Sequence, residues 1–118
     1  MITNESDLFK ILADENRLRM IVLLIDRELC MTHIYIGLDL KQSNTSRNLK
    51  ILKEAGIVSM RNKKNNRYFK ISDEILSNYN EVFTYLKTLK KKTMYICDEK
   101  RMKAVEKCGC KGTCECKL

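Results

Sequence analysis

A chain of 118 residues with no proline, four glycines and 44% hydrophobic residues suits one mainly helical domain with a modest core, and leaves no room for a second domain of ordinary size. The same balance disfavours a loop-rich disulfide scaffold and a disordered polymer. The net charge of +8 is concentrated: residues 41–70 hold nine of the 23 lysines and arginines but one of the 15 acids, so the remainder is balanced at 14 each. That is the footprint of a nucleic-acid contact, with a solvated basic face as the plainer alternative. Residues 1–7 are polar and the longest apolar run, 20–25, is too short for a bilayer, so neither an export signal nor a membrane span is expected, and the reducing cytoplasm is the expected compartment.

Leu8, Phe9, Ile11 and Leu12 form a short apolar helical stripe ended by Asp14, an N-cap for a second helix over 15–26 that carries Leu18, Ile21, Val22 and Ile25 at helical spacing. A third helix is predicted over 31–38, weakened slightly by Gly37. Lys41 and Gln42 read as a polar turn, and Ser43 as N-cap of a helix running to Ala55 and stopped by Gly56. At 100° per residue its Thr45, Leu49 and Leu52 share one face, while Ser43, Ser46, Arg47 and Lys50 gather on the other.

Residues 57–61 and 67–71 are rich in β-formers and are joined by a basic, asparagine-rich stretch at 62–66, which reads as a hairpin. A basic hairpin directly after a helix-turn-helix is the wing of a winged helix: the helix enters the major groove and the wing lies along the phosphates. From Asp73 the positions Ile75, Tyr79, Val82, Leu86, Leu89, Thr93 and Ile96 step by alternating fours and threes. One long helix is predicted, with its heptad seam paired either to a second copy of the chain, giving a homodimer, or to the first helix. The fold class expected is mainly α with a β-hairpin wing, divided into a winged helix-turn-helix and dimerisation domain at 1–107 and a cysteine-rich tail at 108–118.

The tail holds Cys108, Cys110, Cys114 and Cys116 within nine residues, interleaved with two glycines and two lysines. Soft thiolates select zinc, cadmium, lead, copper(I) and trivalent arsenic, and nearby lysines favour deprotonated sulfur. A tail that merely scavenges metal is the alternative. Cys97 sits on the long helix; were that helix to reach Cys108, the two would stand about 16 Å apart, whereas sulfurs on one ion lie within roughly 5 Å. Cys97 therefore meets the tail only if the helix ends early or the tail belongs to the other subunit, or else it packs beside Ile96. Cys30, between Leu29 and Met31, suits a buried inert thiol or a further ligand. His33 is the sole histidine, which excludes an imidazole-built site within one subunit.

The segments 8–14, Arg17-Leu18, Glu28-Leu29-Cys30, 42–49 and 52–58 resemble the ArsR/SmtB family over roughly residues 8–90. The resemblance implies a dimeric winged-helix repressor that releases operator DNA when a metal or metalloid binds, with Gln42, Ser43, Asn44, Ser46 and Arg47 as groove contacts and Lys63, Lys64 and Arg67 as phosphate contacts of the wing. Lys50 joins them from its place on the outward helix face. Arsenic and cadmium members often carry E-L-C-x-C and a further cysteine at the third helix; here only Cys30 matches, with Thr32 and Tyr35 at the other two positions. The histidine and carboxylate pairs that hold zinc in other members are missing too, so the thiol site is expected at the C-terminal end.

The function expected is a repressor, not an enzyme, that binds double-stranded operator DNA as a homodimer and is released by arsenic(III) or antimony(III). Cadmium, lead or zinc are alternative inducers, thiol oxidation or persulfide an alternative signal, and metal buffering a more distant reading. No histidine–carboxylate constellation or phosphate-binding glycine loop supports catalysis.

Overall fold

The computed structural model describes residues 4–25, 27–63 and 66–106, with the backbone alone at 90, 93–95 and 105–106. The first helix, α1 (Glu5–Leu12), begins at Asn4, whose side chain accepts from the Asp7 amide at 2.9 Å, and it buries Leu8 and Leu12. Phe9 departs from the expected stripe and stands 53% exposed, because a residue one step from Leu8 is turned about 100° off the core direction. Helix α2 (Glu15–Leu24) starts where expected: the Asp14 carboxylate accepts from the amides of Asn16 and Arg17, satisfying two of the donors every helix start leaves open. Five consecutive residues, Met20 to Leu24, are buried, so α2 is the centre of the core.

A two-residue strand, β1 (Leu29–Cys30), leads into α3 (Met31–Gly37). Next comes the turn of the helix-turn-helix, and it lies earlier than its polar residues suggest. Asp39 takes a left-handed conformation (φ 55), which reverses the chain and lets α4 (Gln42–Glu54) begin with Lys41 as N-cap and no side-chain cap, in place of Ser43. Thr45, Asn48, Leu49 and Leu52 face inward. The helix closes through Gly56 (φ 81), with Gly56 N donating to the Lys53 carbonyl and Ile57 N to the Leu52 carbonyl, the paired bonds of a Schellman motif.

The wing is β2 (Val58–Lys63) and β3 (Asn66–Ile71), antiparallel with Val58 opposite Ile71 and Lys63 opposite Asn66. Strand β1 adds to the other edge of β3, pairing Leu29 with Phe69 and Cys30 with Tyr68, which gives a three-stranded sheet of order β1-β3-β2. Two residues are too few to leave a periodic signal, so β1 was not legible in advance.

The single long helix expected from Asp73 is broken into α5 (Asp73–Asn78), α6 (Asn80–Thr88), a 3-10 turn (Leu89–Lys91) and α7 (Thr93–Glu106). Tyr79 (φ −126, ψ 40) and Lys92 (ψ 148) leave helical geometry. The physical reason lies in what α7 buries after it turns back onto α2 and α3. Met102 is fully buried over Gly37, where a Cβ would run into the Met102 methyl, and Asp98 is 2% exposed between two arginines. Ile75, Leu86 and Leu89 of the heptad seam are buried within their own chain, whereas Ile96 is 39% exposed.

Candidate nucleic-acid interface

Inward Thr45, Leu49 and Leu52 fix the rotation of α4, and that rotation leaves Gln42, Ser43, Ser46, Arg47 and Lys50 exposed and Asn44 half-exposed. Exposed Lys53, one turn beyond Lys50, extends this face; its i+3 spacing was the available signal. A hollow of about 390 Å³ separates α4 from the wing, with Ser46, Lys50 and Lys53 on one wall and Asn62 and Arg67 on the other. A second of about 370 Å³ lies beside it, bounded by Cys30, Thr32, Gln42, Ser46, Asn66 and Arg67. Ser46 and Arg67 line both, so helix and wing share one concave basic surface.

The positive charges of residues 41–70 are not equivalent. Arg61 gives both arms of its guanidinium to the Glu28 carboxylate, at 2.8 and 2.6 Å, and stands 5.9 Å from the Tyr68 ring centre. The hydrogen bond to Glu28, and secondarily its charge, hold Arg61 above its ordinary pKa. Lys70 lies 3.7 Å from Asp73. Among the described residues, Arg47, Lys50, Lys53, Lys63 and Arg67 have no acidic partner and remain available to an anion. Lys64 lies outside the described residues.

Behind the helix a buried polar chain ties α4 to the first two helices. Arg17 donates through Nε to the Ile11 carbonyl at 2.8 Å and through Nη1 to Oδ1 of Asn48 at 3.3 Å. Asn48, 7% exposed, donates in turn to the backbone carbonyl of Asn44 at 3.0 Å and to Asn44 Oδ1 at 2.6 Å. The resemblance placed Asn48 in a matching segment without a role, and a polar residue in a polar helix gave no sign of burial.

The cysteine expectations divide. Cys30 is buried at the start of α3 and borders the second hollow; Cys97 is exposed on α7. Among the described residues no three histidine, cysteine or acidic side chains come together as a metal site. Cys108, Cys110, Cys114 and Cys116 lie outside them. His33 is half-buried on α3.

Residues 14–60 match the family model described as bacterial regulatory protein, arsR family. Over these residues the chain is similar to the arsR family. The arsenical resistance operon repressor of Escherichia coli (strain K12) is 39% identical over 69 residues, which cover 58% of this chain and 59% of that protein; the chain thus spans less than two thirds of this curated relative. Reduced HlyU from Vibrio cholerae N16961 shares the fold with a TM-score of 0.60 and 28% identity, covering 71% of this chain and 82% of HlyU. The antimony-specific transcriptional repressor AntR does so with a TM-score of 0.57 and 28% identity, over 69% of this chain and 74% of AntR. In this chain α3 and α4 form a helix-turn-helix, and β2 and β3 the wing that follows it. Among the described residues no helix is long and apolar enough to cross a membrane.

Proposed function

We propose that this arsR-family chain is a transcriptional repressor that grips duplex operator DNA as a homodimer and releases it when its C-terminal cysteines capture a soft ion, arsenite or antimonite before cadmium, lead or zinc. The observation that carries the DNA half is the concave surface between α4 and the wing, lined by Lys50, Lys53 and Arg67; with Arg47 of α4 and Lys63 of the wing, also exposed, these cations have no acidic partners among the described residues. Gln42, Ser43, Asn44, Ser46 and Arg47 then face base edges, and Lys50, Lys63, Lys64 and Arg67 neutralise phosphates. Phe9 on α1 and Tyr85 on α6, 53% and 61% exposed, offer apolar surface to the second subunit. Residues 1–107 act as the DNA-binding and dimerisation unit, and 108–118 as the sensor.

The metalloid preference rests on the names of the relatives and on a donor set rich in thiols and poor in imidazole. Cys97 stands on α7 nine positions before Glu106, and Cys114 follows Glu106 by eight. In this reading the exposed Cys97 is the described thiol open to an ion shared with the tail cysteines, and Cys30 is a buried core thiol.

An ion changes DNA affinity only if it prefers one conformation over the other. Cys97 immediately precedes Asp98, through which α7 is docked: Arg19 donates to it through Nε and Nη2 at 3.0 and 2.7 Å, and Arg101 at 2.6 Å. The same arginines hold the last carbonyls around the end of α3, Arg19 at Leu38 and Arg101 at Gly37. Ligation that tilts α7 therefore loosens the end of α3, and with it the turn that aims α4. The test is release from a duplex selected out of a randomised library, measured for single serine replacements of all six cysteines against arsenite, antimonite, cadmium, lead and zinc. Loss of metalloid response in the tail variants and not in Cys30→Ser supports the proposal. Response to oxidant or persulfide in the presence of chelator points instead to a thiol redox sensor, and absence of any selected duplex to a metal buffer.

A further inference from the structure

Arginine carries no acceptor, and this fixes the direction of the polar chain behind α4. The guanidinium of Arg17, 17% exposed and anchored at the Ile11 carbonyl, can only donate to Asn48. Asn48 must turn its oxygen to Arg17, which leaves its amide nitrogen to donate toward α4. There it meets two acceptors of Asn44, the backbone carbonyl and Oδ1. With Oδ1 drawn inward, the amide nitrogen of Asn44 is on the outer side of a half-exposed residue in the first turn of α4, between exposed Ser43 and Ser46.

We infer that Arg17 and Asn48 are positioning residues that hold the Asn44 amide donor-outward, so that Asn44 selects hydrogen-bond acceptors on the major-groove edge of one base pair. The inference deepens the DNA-binding reading above and rests on it. An unrestrained asparagine swaps oxygen and nitrogen by a half-turn of its amide and so accepts from cytosine or adenine amino groups as readily as it donates to guanine O6 and N7 or thymine O4. The relay removes the first option and converts an ambiguous side chain into one of defined polarity.

Selection from a randomised duplex library, followed by affinity measurements on the enriched sites, tests this. The base pair whose preference disappears in Asn44→Ala is the one read by Asn44. In the wild type that position is expected to favour guanine or thymine, which present acceptors and no amino group in the major groove, by about tenfold. Asn48→Asp keeps size and the Arg17 contact but removes the donor, so Asn44 turns its nitrogen inward and its oxygen out. The preference at that single position should then fall below about threefold or swing to a base bearing an amino group, with the other positions unchanged. Asn44→Asp, at a half-exposed site, also places an acceptor outward and should shift the same position the same way, which decides the matter if Asn48→Asp does not fold. Retention of the wild-type preference by a folded Asn48→Asp, or by Asn44→Asp, overturns the relay, as does an Asn44→Ala that alters no position. A wild-type chain that enriches no sequence overturns the DNA-binding reading and the relay together.

Discussion

Asp98 shows how much one side chain can hold in place. Its carboxylate is 3% exposed between Arg19, itself 12% exposed, and Arg101. Replacing Asp98 by alanine leaves a largely buried guanidinium without its counter-charge, the costly way to break such a pair. Asp98→Ala is expected to lower stability by about 3 kcal/mol, read from the urea midpoint at constant m-value, whereas Glu28→Ala, which frees the 58% exposed Arg61, should change it little. At this scale the sequence was most legible where residue type and environment agree: Thr45, Leu49 and Leu52 turned in, Ser46, Arg47 and Lys50 turned out. Asp98 and Asn48 were not legible, because charged and amide side chains are normally solvated and only the tertiary partners Arg19 and Arg17 make their burial tolerable.

Among the elements, α4 and the wing are set by local chemistry. Gly56 holds a positive φ of 81, a region in which a Cβ is strained, and Gly56→Ala should cost about 1 kcal/mol, visible as a lowered melting temperature of the otherwise unchanged fold. In the proposed complex, wing cations act differently from groove-facing side chains. Lys63→Ala and Arg67→Ala should weaken binding to every duplex alike, each reducing the slope of log affinity against log salt by about 0.9; a slope unchanged in both variants would place the wing away from phosphates. Helix starts at Asp14, the Gly56 stop and the hairpin were readable because their signals are carried by adjacent residues. The breaks at Tyr79 and Lys92 carry no proline or glycine; they exist because Met102 and Asp98 find partners on α2 and α3 only if α7 turns back, a balance invisible to periodicity.

Taken as a whole, the molecule links α7 to α4 through its core: Cys97 leads into Asp98, Asp98 accepts from Arg19 of α2 and from Arg101, these two arginines donate to the Leu38 and Gly37 carbonyls at the end of α3, and α3 leads through Asp39 into α4. The apolar seam read as a subunit contact is in good part spent within the protomer, at Ile75, Leu86 and Leu89, so the apolar surface left for the proposed second copy is that of exposed Phe9, Tyr85 and Ile96, of which Phe9 and Tyr85 are the most exposed. Their joint replacement by serine should move the sedimentation coefficient from that of a dimer to that of a monomer without unfolding the chain; a wild type that sediments as a monomer contradicts the subunit reading. The sensing role proposed for the tail is open to one direct measurement. Fluorescence anisotropy on a selected duplex compares the full chain with one ending at Glu106. The two are expected to bind within about threefold of each other, and arsenite at thiol-saturating concentration to weaken the full chain at least about tenfold while leaving the shortened one in place. A shortened chain that lets go just as readily would put the ion elsewhere and contradict the proposal.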